Sequence, residues 1–77
     1  MFPLTITAVD KILFQGEATS VTCPGVDGEL TVLKSHMPFI SPLAQGTVLV
    51  RASEGEKLFP ISKGMLMVNA EETIILV

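Results

Sequence analysis

A chain of 77 residues with one cysteine, a formal charge of −3 and 17% charged side chains excludes several classes of protein before any motif is read. Its length allows one domain, residues 1–77, with a thin core, and the lone Cys23 rules out an internal disulfide and favours a reducing, cytoplasmic compartment. The five basic residues are scattered and Trp and Tyr are absent, which excludes a nucleic-acid surface and disfavours an anionic lipid surface.

The chain is nevertheless apolar, with 48% hydrophobic residues and a mean hydropathy of +0.57. Its longest apolar runs, 65–68 and 74–77, fall far short of the ~20 residues a membrane helix needs. The first residues lack a basic segment and soon alternate with polar ones, so no cleavable leader and no direct lipid insertion are expected. The surplus apolar surface points to a protein partner.

Phe2, Leu4, Ile6 and Ala8 alternate with threonines and predict a half-buried strand. Asp10-Lys11 turns the chain into Ile12-Leu13-Phe14, and Gln15-Gly16 is expected to break it again. The segment 17–23 is read as a strand through Thr19, Val21 and Thr22, followed by a turn over 24–28 that includes Asp27-Gly28. Further strands are expected over 29–33, with Leu30 and Val32 on one face, and over 39–43, 47–52, 57–62, 65–68 and 73–77. Residues 53–56 form a polar hairpin loop in this reading. No window free of Gly and Pro holds a helical stripe, so the fold class is all-β: roughly eight to ten short strands in a small two-sheet β-sandwich or flattened barrel.

The residues for covalent or metal chemistry are sparse. A single Cys and a single His give no nucleophile–base set with a partner to activate it, and Cys23 reads as a small core residue. His36 has no second His or paired cysteines, so no metal site is expected; it reads as a corner histidine that also suits an interface. Asp27 and Glu29 flank a glycine in a turn and read as solvent-facing. Ser62-Lys63-Gly64 lacks the rest of a phosphate loop. Met65 and Met67 share one face of a strand and Leu66 and Val68 the other, so one of two apolar faces is free for a partner.

One combination is specific. Gly28-Glu29-Leu30, followed by His36-Met37-Pro38-Phe39-Ile40, resembles the Gly-Glu-Leu and Gly-His-x-Pro-Leu segments of the ε subunit of F-type ATP synthases. Phe14-Gln15-Gly16, Leu43-Ala44-Gln45-Gly46 and the stretch from Ser62 through Val68 resemble further segments of that family in the same order, with Ser35, Lys63 and Met67 as departures. The resemblance covers the whole chain and implies the β-sandwich domain of that subunit.

It further implies a non-catalytic rotor part of the central stalk. Such a part links the γ subunit to the c-ring and couples proton translocation to ATP synthesis, at the cytoplasmic face of a bacterial inner membrane. No cofactor, metal or small-molecule substrate belongs to that role. Carried over residue by residue, the interface comprises Glu29, His36, Met37, Pro38, Phe39 and Ser41, with Glu29 facing the c-ring. Many relatives continue past the position of Val77 into a helical hairpin that inhibits hydrolysis; a chain ending there is expected to lack that role. The alternative is a biotinyl- or lipoyl-like carrier, or a small β adaptor domain, with Lys63 as the modified residue.

Overall fold

A computed structural model describes residues 1–34 and 37–77, and among them nine strands and no helix. The strands are β1 (Phe2–Thr7), β2 (Ile12–Ala18), β3 (Ser20–Gly25), β4 (Gly28–Val32), β5 (Phe39–Leu43), β6 (Gly46–Ala52), β7 (Gly55–Ile61), β8 (Gly64–Val68) and β9 (Thr73–Leu76). They form one curled sheet in the order β2-β1-β9-β8-β5-β3-β6-β7, with β4 on the other side of β3. All pairings are antiparallel except β1 with β9.

Alternation along each strand builds the core. Phe2, Leu4 and Ile6 of β1 point inward, as do Val21 and Cys23 of β3, Val48 and Val50 of β6, Leu66 and Val68 of β8, and Ile75 of β9. Rows of lateral partners repeat the same choice: Ile6 faces Ile75, which faces Leu66. Curling the sheet brings these rows together, so a single hydrogen-bonded sheet hides two apolar surfaces.

Pairing sorts the turns to two ends. The near end carries turns 8–11, 26–27, 44–45 and 62–63, tied together where Val77 N–H donates to Thr7 O at 3.0 Å and Ala44 N–H donates to Pro24 O at 2.7 Å. The far end carries Leu33, Lys34, Met37 and Pro38 together with turns 53–54 and 69–72. At the far end Asn69 Oδ1 accepts from the Glu71 and Glu72 N–H groups, both at 2.8 Å, and fixes the entry to β9.

Several expectations need correction: the segment 17–23 is not one strand but is divided at Thr19 between β2 and β3, and the loop expected over 53–56 is the two residues 53–54, because Gly55 and Glu56 already pair in β7. Gln15-Gly16 does not break the chain: β2 runs through it, with Gln15 opposite Thr5 and Gly16 opposite Leu4. The ladder to β1 outweighs the weak strand preference of glycine, and the irregularity falls earlier, as a register shift beside Ile6 and Thr7. The turn expected over 24–28 is only two residues long, since Pro24 and Gly25 complete β3 and Gly28 opens β4. Gly28 has φ +129° and Gly55 φ +127°; each follows a two-residue tip, where a side chain would be strained.

Candidate partner interface

Cys23 is fully buried, and desolvation pushes its thiol up to about 11, the reverse of an activated thiolate. Among the described residues no three His, Cys, Asp or Glu side chains converge as metal ligands would. Lys63 lies between β7 and β8, which do not pair with each other, so it sits on a crossover and not at the hairpin tip a carrier lysine occupies. What the fold presents is surface, in two regions.

Glu29 is exposed on β4 opposite Pro24, one residue past the near-end turn. Met37, Pro38 and Phe39 are exposed at the far end, where β5 begins. β4 runs the length of the molecule between these groups, so Glu29 and Phe39 lie roughly 17 Å apart along the strand direction, at about 3.3 Å per residue over five residues. Ser41 faces the core side in register with buried Leu66; it is half-buried, and its Oγ donates to Pro42 O at 3.3 Å. His36 lies outside the described residues. The expected interface residues therefore do not form one cluster.

Between the two ends lies a surface that the spacing of Met65 and Met67 signals in part. On the outside of β5, β8 and β9, Ile40 pairs with Met67 and Met67 with Ile74. One row over, Pro42 pairs with Met65 and Met65 with Leu76. Ile40 is 68% exposed and Leu76 43%, whereas Leu66 on the opposite face is 0% exposed. The row can be read from sequence only once the pairing register is known, because Ile40, Met67 and Ile74 come from three distant segments.

The comparisons with known proteins agree on a family. Residues 1–77 match the family described as ATP synthase, Delta/Epsilon chain, beta-sandwich domain. Three relatives named ATP synthase epsilon chain are similar along nearly the whole chain. The protein from Dichelobacter nodosus is 37% identical over 76 residues, 97% of this chain and 53% of its own length. That from Xanthomonas euvesicatoria pv. vesicatoria is 42% identical over 73 residues, 94% of this chain and 52% of its own. That from Chlorobium limicola is 37% identical over 76 residues, covering 97% and 86%. The chain thus spans about half the length of the first two relatives and most of the third. Among solved structures, a chain of the Euglena gracilis mitochondrial ATP synthase (OSCP/F1/c-ring) superposes with a TM-score of 0.89 at 28% identity, covering 99% of this chain and 49% of that one. A chain of the Tetrahymena thermophila mitochondrial ATP synthase central stalk/c-ring shares the fold, with a TM-score of 0.83 at 16% identity and coverage of 99% and 62%. With its family match running from Met1 to Val77 and its nine strands superposing on an ATP synthase chain, this protein belongs to the ATP synthase delta/epsilon β-sandwich family.

Proposed function

We propose that the chain serves as a non-catalytic part of the central-stalk rotor of an F-type ATP synthase, joining the γ subunit to the c-ring. The observation that carries this reading is the family match over all of residues 1–77. A rotor coupler transmits torque and makes no bonds, so it needs a stiff body and two adhesive regions. The curled sheet supplies the body. The outer row of Ile40, Met67 and Ile74 offers an apolar surface suited to γ. The near end offers Asp27 and Glu29, carboxylates suited to basic groups on the ring loops, with modest energy in solvent. In this reading the protein works at the cytoplasmic face of a bacterial inner membrane as a peripheral subunit.

The test is reconstitution. Synthase stripped of this subunit is mixed with the full chain, and ATP-driven proton pumping is followed in vesicles. Restored pumping supports the coupling role; ATP hydrolysis that stays uncoupled at saturating chain counts against it.

A further inference from the structure

None of the four methionines, Met1, Met37, Met65 and Met67, belongs to the core cluster, which branched aliphatic residues, Phe2, Ala18 and Cys23 fill instead. Met65 and Met67 differ from the other two in their setting. They are successive outward positions of β8, roughly 7 Å apart along the strand. Each is the middle of a cross-strand row: Pro42, Met65 and Leu76 in one, Ile40, Met67 and Ile74 in the next. The two thioethers are thus the central column of a six-residue apolar patch on the outside of β5, β8 and β9. Met65 is 37% exposed and Met67 half-buried. Leu66 and Val68 face inward and are buried, so the core does not rest on either sulfur.

A thioether is soft, apolar and adaptable, which suits a docking face. It is also oxidisable. Its sulfur attacks one oxygen of a peroxide, an S–O bond forms, and the O–O bond breaks. The second oxygen takes up the proton and leaves as water or an alcohol. The sulfur is oxidised by two electrons and the peroxide reduced by two. Cys23 does not compete for the oxidant, because it is fully buried and desolvation keeps it in the less reactive thiol form.

We infer that Met65 and Met67 are a paired modification site for peroxides, at which sulfoxide formation switches off the outer face of the sheet while the fold stays intact. The switch rests on the proposed docking of this face to γ and adds its control. Two S–O dipoles at the centre of the patch find no side-chain donor beside them, since Ile40, Pro42, Ile74 and Leu76 flank them. A partner that covers the patch must strip water from both polar groups without replacing its hydrogen bonds. In the free chain the groups stay hydrated and folding is spared. Methionine sulfoxide reductases reverse the step, one enzyme for each epimer. Docked γ shields both sulfurs, so the site acts on the chain before assembly.

The full chain is treated with dilute hydrogen peroxide, mapped by peptide mass spectrometry, melted, and titrated onto purified γ of its own synthase by biolayer interferometry. Met65 and Met67 should each gain one oxygen, the thermal midpoint should stay that of the untreated chain, and γ binding should weaken ~10-fold or more. Sulfoxide reductases should restore it. In the Met65→Leu, Met67→Leu double variant, affinity before and after peroxide should be equal, whatever its starting value. Saturating γ added ahead of the oxidant should slow oxygen uptake at both positions. Thioethers that survive at 65 and 67 while Met37 is oxidised, an oxidised chain that unfolds, unchanged γ binding after full oxidation, or a loss that persists in the double variant overturns the switch and leaves the rotor role standing. A wild-type chain with no affinity for γ overturns both.

Discussion

Phe14 of β2 and Phe59 of β7 meet edge to face, with centroids 6.1 Å apart and planes at 67°, across the open side of the curled sheet. The Lys57 ammonium lies 5.5 Å from the Phe14 centroid on the same seam. β2 and β7 are the two ends of the strand order and do not pair, so side chains close the molecule where backbone ladders do not. Truncating Phe59 to Ala should cost about 1–3 kcal/mol, below the range for a fully buried Phe because the ring is half-buried. Urea unfolding of Phe59→Ala beside wild type measures it; an unchanged midpoint would show that the seam is held elsewhere.

Leu66 and Met67 are neighbours with opposite duties. Leu66 is wholly buried, and Leu66→Ala should lose about 2–5 kcal/mol, a large part of what so small a domain has. Met67 faces outward between Ile40 and Ile74. Met67→Ala should cost less than about 1 kcal/mol of folding stability and instead weaken γ binding. Thermal melts paired with a γ-binding assay separate the two effects, and equal losses of stability would contradict the assigned faces.

Gly55 tests the turn geometry. Nothing lies within 4 Å of the position its Cβ would take, so any cost of Gly55→Ala comes from the backbone at φ +127°. The expected loss is about 1–2 kcal/mol, read as a drop of roughly 4–8 °C in Tm per kcal/mol. Gly28→Ala, with the same backbone and the same open space, should behave alike. A melt unchanged in both variants would mean the tips tolerate a side chain.

Cys23 gives the fold a pH dependence on the alkaline side. Burial raises its thiol from 9.0 to about 11, so the folded state holds a proton that the unfolded state releases first. This contribution is fully present below about pH 9 and is lost as pH climbs toward about 11. Its size is on the order of 1–3 kcal/mol for a shift of this kind. Cys23→Ala should flatten that part of the stability–pH curve, as urea unfolding between pH 8 and 11 would show. A slope that survives the substitution would assign it to other groups.

Local pattern carried the strands and little of their arrangement. The alternation of Phe2, Leu4 and Ile6, and of Leu30 and Val32, marks the inner faces that the structure shows. Gln15-Gly16 misled because pairing with β1 outweighs what glycine prefers alone. The parallel contact of β1 with β9 joins residues about seventy positions apart and leaves no local trace. The candidate interface was legible in the same uneven way. Met65 and Met67 announced an apolar outer face, but its extension to Ile40, Ile74 and Leu76 depends on register. Glu29 and Phe39 are close in sequence and lie at opposite ends because a whole strand, β4, runs between them.

Co-purification reads rotor membership directly. An affinity-tagged copy of the full chain, expressed in its own cell, is recovered from membranes solubilised in mild detergent, and the bound subunits and the intact mass of the chain are read by mass spectrometry. A rotor subunit should bring down γ and the c-ring in stoichiometric amounts, with a chain of unmodified mass. Recovery of the chain without them from membranes that hold intact synthase, or a covalent cofactor on Lys63, would contradict it.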